Sequence, residues 1–245
     1  MLKLFRKIRQ DLVSHGKTGK YLKYAFGEII LVVIGILIAV QINTLNQDRI
    51  DRKLEKKILI DLRQELLTNK LKISESIENR EALYHPLERY MKLMEADRIS
   101  YSDFLEIHKK SFWSGRITPS FGVINSLISS GEVNLISNDS LKYLATDWKD
   151  VLTVFMLVEQ SSFDGHRRFS DYFDMRFPQR GNQFHNKSSE DLRDRFEKIK
   201  VDVEYGNKLI IVKSHFEGAI QIGQETIEYI DGMTNLIDQE IEKMD

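Results

Sequence analysis

The chain has 245 residues, 42% hydrophobic and 30% charged, with a net charge of −1, enough for one globular domain of ordinary size plus an appendage. It holds no cysteine, which excludes disulfides, thiolate metal sites and a cysteine nucleophile. Within the first 24 residues, Lys3, Arg6, Lys7, Arg9, Lys17, Lys20 and Lys23 face only Asp11, so this head carries +6 and the remainder −7. That split directs the head toward something anionic and argues against nucleic acid as a partner of the acidic body.

From the N-terminus, Leu2, Phe5, Ile8 and Leu12 alternate with Arg6, Lys7 and Arg9. This reads as a short amphipathic helix, residues 1–24, lying on an anionic cytoplasmic leaflet. The next stretch, "FGEIILVVIGILIAVQIN", includes twelve strictly apolar positions from Ile29 to Val40. A signal peptide and a buried helix are rival readings of that length. No A-x-A cleavage site follows Ala39, and Tyr21, Tyr24 and Phe26 stand where interfacial rings belong. The segment is therefore read as an uncleaved transmembrane helix over residues 25–45, roughly 30 Å of helix. The far flank is also basic (Arg49, Arg52, Lys53, Lys56, Lys57) but interleaves Asp48, Asp51 and Glu55. Keeping the nearly all-basic head inside places the N-terminus in the cytoplasm and the body outside the membrane.

On a helical wheel Glu28, Gly35, Ala39 and Asn46 fall within about 20° of one direction and Asn43 within about 60°. An acid, a G-x-x-x-A pair and two amides on one stripe suit close approach of a second helix, in a homo-oligomer or with an envelope partner. The competing reading is an acid near the headgroups and small residues of no special role.

Residues 46–245 read as an extracytoplasmic bundle. Neither Gly nor Pro occurs from Ile36 to His85, and the chain has only three prolines, so a helix leaves the membrane and runs to about Pro86. Its stripe is Leu54, Ile58, Leu62, Leu66, Ile73, Ile77, Tyr84, Leu87, Met91 and Met94. A second helix is expected from Ser102, as N-cap, to Phe112, then a break over Gly115–Pro119. Phe121–Ser129 makes a short helix ended by Gly131, and Asn138 or Ser137 caps a long one from near Ser140. Leu141, Leu144, Ala145, Trp148, Leu152, Phe155 and Val158 give it an apolar face. The last helix spans about Tyr205–Lys243. The fold class is all-α, a transmembrane helix continuing into an antiparallel helical bundle.

The anchor from Phe5 to Asn43 and the later "LISSGEVNLISNDSL" resemble a family of single-pass membrane proteins common in Bacteroidota, domain of unknown function 6090. Asn43, Thr44, Leu45 and Asn46 keep the outer asparagines of its Asn-Asn-Trp-Asn pattern and lack the tryptophan. The resemblance implies location and architecture, and brings no chemistry with it.

One segment invites a site: "SFDGHRRFSDYFDMRFPQRGNQFHN", residues 162–186. His166, Arg167, Arg168, Arg176 and Arg180 among aromatic rings could hold a carboxylate, phosphate or sugar. Against this stands a helix end whose rings plug the bundle while Arg and Asp pair on the surface. The six histidines include no i, i+3 or i, i+4 pair, so no metal is expected. "SSGEVNLISNDS" is better explained by helix-ending and capping than by a nucleophile, and no G-x-S-x-G elbow or phosphate loop occurs. No catalytic residue and no cofactor are expected. The leading expectation is a membrane-anchored interaction or assembly module; the alternative is an extracytoplasmic small-molecule sensor relaying through a partner.

Overall fold

The structure is a computed structural model describing residues 18–110, 117–177 and 189–244. Among these residues every regular element is a helix and there is no strand, so the fold is all-α. The chain forms two compact units, Met1–Leu54 and Glu55–Asp245. The head up to residue 17 lies outside the described residues.

Helix α1 runs from Thr18 to Glu95. In the first unit its apolar side chains between Ile29 and Val40 are 44–68% exposed, which is how a helix suited to lipid looks when seen alone. It is the one helix among the described residues long and apolar enough to cross a membrane, with a mean hydropathy of 2.5 over its best window.

The second unit is built on three long helices: α1 from Glu55, α4 (Asp139–Arg176) and α6 (Val203–Glu242). Side-chain pairs fix their directions. Glu55 meets Ser137 and Arg80 meets Glu159, so α1 and α4 run parallel. Arg63 meets Asp238 and Tyr84 meets Glu217, so α6 runs against α1. Asn138 meets Glu240 and Tyr172 meets Asp202, so α6 runs against α4 as well. The bundle is therefore antiparallel only with respect to α6. The anticipated periodicity fills its core: Leu62, Leu66, Ile73, Leu141, Ala145, Trp148, Leu152, Ile230, Met233 and Ile237 are fully buried.

Because α4 is parallel to α1, the chain must travel back along the bundle after α2 (Tyr101–Lys110). The return contains α3 (Gly122–Ser130) and a 3₁₀ turn, Glu132–Leu135. Its backbone groups are satisfied from α1. The buried Glu65 carboxylate accepts from Val123 N at 2.7 Å and Ile124 N at 3.3 Å, capping α3, whose own N-cap Phe121 supplies no side-chain bond. Asn69 pairs with Ser120 in both directions, accepting from its N at 2.7 Å and donating to its O at 2.9 Å. Glu55 accepts from both the N–H and the hydroxyl of Ser137. Gly131, at φ 77°, ends α3, and Asn138 caps α4 by accepting from Leu141 N, both as the sequence implies.

Three boundaries differ. Helix α1 continues through Pro86 to Glu95. A mid-helix proline costs about 3 kcal/mol, and burying Leu87 and Tyr90 just beyond it offsets that at about 1.5–3 kcal/mol each. The cap of α2 is Ser100, not Ser102: its hydroxyl accepts from Asp103 N at 3.2 Å while the Asp103 carboxylate accepts from Ser100 N at 3.1 Å. An additional helix, α5 (Ser189–Lys200), buries Phe196 and Ile199 in an aromatic end of the core centred on Phe104. The Phe104 ring lies 5.1 Å from Phe196, 4.9 Å from Phe177 and 5.6 Å from Phe173.

Replacing Glu65 by Ala leaves two backbone N–H groups of α3 uncapped. The expected loss is about 1–3 kcal/mol, read by urea unfolding of the full chain in detergent, with faster hydrogen exchange at Val123 and Ile124; unchanged exchange there would show that Glu65 is not the cap.

Candidate functional site

Two groups of residues stand out from the sequence, and the structure adds a third. The stripe Glu28, Gly35, Ala39, Asn43 and Asn46 lies on α1 in the first unit. Its last four members are exposed and Glu28 is partly so. A Cβ added at Gly35 would meet nothing within 4 Å, so the face is open to a neighbouring helix.

The arginine and aromatic segment is helical up to Arg176, which turns successive residues by about 100° and distributes them around the helix. His166 is buried, its ring edge-on to Phe216 at 5.9 Å. Arg167 and Arg168 are exposed. Arg176 lies 3.8 Å over the Tyr172 ring and pairs with Glu204 at 2.9 Å and Asp202 at 3.5 Å. Arg180 lies outside the described residues. Phe169, Tyr172, Phe173 and Phe177 turn into the core. His166 is thus in the interior, while Arg167, Arg168 and Arg176 are on the surface. The Tyr172 hydroxyl donates to Asp202 at 2.7 Å. That bond is the main reason the Asp202 carboxyl sits below its ordinary range, and Asp202 in turn caps α6 through Glu204 N. The surface groups here fasten the α4–α6 junction.

The third group is a polar layer across the middle of the bundle. Arg80, 1% exposed, donates from Nη2 to Glu159 Oε2 at 3.1 Å, with its guanidinium 5.9 Å from the centre of the Phe216 ring. Around this pair Arg80 Nε and Nη1, Glu159 Oε1, Ser162 Oγ and His215 Nδ1 are buried without a hydrogen-bond partner among the described residues. A buried ion pair spends most of its attraction on desolvation, and removing one member costs about 3–5 kcal/mol. The sequence carried a signal for it: Arg80 falls in register with the apolar stripe of α1, and Glu159 follows Phe155 at i+4 on the core side of α4.

His215 belongs to the edge of this layer. Its Nδ1 lies 2.1 Å from where a Cβ would stand on Gly165, so α6 presses its imidazole into the gap that the glycine leaves in α4. Burial, and then the positive charge of Arg168, pull the ring below its ordinary value of 6.5. Among the described residues no group of three or more His, Asp or Glu could hold a metal ion, and no serine–histidine–acid hydrogen-bonded array is present.

Well above pH 6.5 the His215 ring is neutral in both folded and unfolded chains and costs nothing. As pH falls below 6.5 the unfolded chain takes up the proton first, so stability is lost through the window beneath that value. The thermal unfolding midpoint of the full chain should therefore fall between pH 7.5 and 5.5, and His215→Gln should flatten that part of the profile. An unchanged slope would remove His215 from the account. No family model, curated protein or solved structure matches this chain.

Proposed function

We propose that this chain is a single-pass inner-membrane protein, N-terminus cytoplasmic, whose periplasmic helical bundle serves as an interaction or assembly module, and that it belongs with the Bacteroidota proteins it resembles. The observation that carries this reading is the run of apolar side chains from Ile29 to Val40, 44–68% exposed on a helix. In water such a surface costs about 25 cal/mol for each square ångström left uncovered; in a bilayer it costs nothing. The basic head supports the orientation through its +6 charge, and the stripe through Gly35 and Ala39 supplies an assembly face. The core of the described bundle is made of packed side chains with the Arg80–Glu159 pair buried among them, which suits a scaffold.

Two measurements test the parts separately. Since the chain has no cysteine, a single one introduced by Ser161→Cys, at an exposed position of α4, should react with an impermeant maleimide in spheroplasts; protection until lysis would reverse the orientation. Crosslinking in intact membranes should give a reproducible oligomer or partner adduct that the double substitution Gly35→Leu, Ala39→Leu reduces several-fold. A lone monomer in both would end the assembly reading.

A further inference from the structure

Between α1 and α2 lies a hollow of about 280 Å³. Its apolar wall is made by Pro86, Leu93 and the ring of Tyr90, which is 3% exposed and anchored from behind by a 2.9 Å hydrogen bond between its hydroxyl and that of Tyr205. Arg89 and His85 stand on the α1 side, and Asp103 and Glu106 on the α2 side. Opposite charges therefore line opposite walls of a small apolar gap.

Arg89 is exposed and makes no hydrogen bond or ion pair with any described residue, so its guanidinium is open to a ligand. The two sides are nonetheless in electrostatic contact. The Asp103 carboxyl is held below its ordinary range, chiefly by its bonds to Ser100 and in smaller part by the charge of Arg89. Asp103 is also fixed in place, because the same bonds form the cap of α2. A second hollow of about 470 Å³ shares His85, Arg89 and Leu93 and adds Arg98 together with Lys92 and Glu88, which pair at 3.2 Å, so an anionic group approaching Arg89 meets a rim that is positive on balance.

The chemistry selects among ligands. A simple anion would face two carboxylates, and a simple cation would face Arg89. A neutral apolar molecule would strip water from these charges and return no hydrogen bond. The volume is at or below the lower end of the range for ligand cavities, about 300–1,000 Å³, too little for a nucleotide or an oligosaccharide. We propose that this hollow binds a small zwitterion of the amino-acid type, its carboxylate on Arg89, its ammonium between Asp103 and Glu106, and its apolar side chain against Pro86, Tyr90 and Leu93. The site is independent of the membrane-module reading.

The test is isothermal titration calorimetry on the full chain in detergent micelles with L-leucine, N-acetyl-L-leucine and L-leucinamide. L-leucine should bind, and each derivative, having lost one charge, should bind about tenfold more weakly or not at all. Arg89→Gln and Glu106→Gln should weaken L-leucine by a similar factor with unchanged far-ultraviolet circular dichroism. The proposal is overturned if neither L-leucine nor L-phenylalanine binds at millimolar concentration, if the derivatives bind as well as the parent, or if Arg89→Gln leaves affinity unchanged. Crosslinking of the anchor reads a different part of the molecule, so either proposal can fail alone.

Discussion

The bundle depends on how α1 satisfies a stretch of chain that cannot satisfy itself. Once α1 and α4 are parallel, the polypeptide between them has to run back across the core with few internal hydrogen bonds, and a buried backbone group without a partner costs about as much as a lost hydrogen bond. Glu55, Glu65 and Asn69 meet that need from one face of α1, at Ser137, at the first turn of α3 and at Ser120. These contacts fix where α3 lies and where α4 begins. The level at which α4 then packs on α1 brings Glu159 to Arg80.

That buried pair has a different role from the apolar residues around it. Leu62, Trp148 or Ile230 would pack in several neighbouring registers with little change in area buried. Arg80 has one place where its charge is met. Sliding α1 past α4 by one turn would leave a guanidinium and a carboxylate each alone in the core, a penalty of several kcal/mol. The layer therefore discriminates among alignments more than it adds stability.

Much of this architecture was legible in the sequence because period and punctuation agreed. The stripe of α4, its Asn138 cap and the glycine that ends α3 each follow from local rules, and all three stand where expected. Misreadings came where tertiary contacts outweighed local ones. Pro86 should end a helix and does not, since the residues after it are buried. Helix α5 has only Leu192, Phe196 and Ile199 on a highly charged background; their i, i+4, i+7 spacing was the available signal. The direction of α4 relative to α1 was not legible at all, because it is set by side chains that meet across 79 and 82 positions of sequence. In the arginine segment the competing reading describes what is seen: the rings of Phe169, Tyr172, Phe173 and Phe177 plug the bundle while Arg176 pairs with Asp202 at the surface.

The two glycines that let helices approach closely set limits on how this protein can diverge. A methyl group at Gly165 would strike the His215 ring, and one at Gly223 would come within 2.8 Å of Ile77 Cγ1. The aliphatic core positions accept exchange among Leu, Ile and Met at modest cost. A lineage of this fold can therefore replace most of its interior and remain itself, provided it keeps these two close approaches and the left-handed turn at Gly131. Distant kin would share gaps at fixed separations, together with the acids and amide of α1, long after the resemblance of their apolar residues had faded.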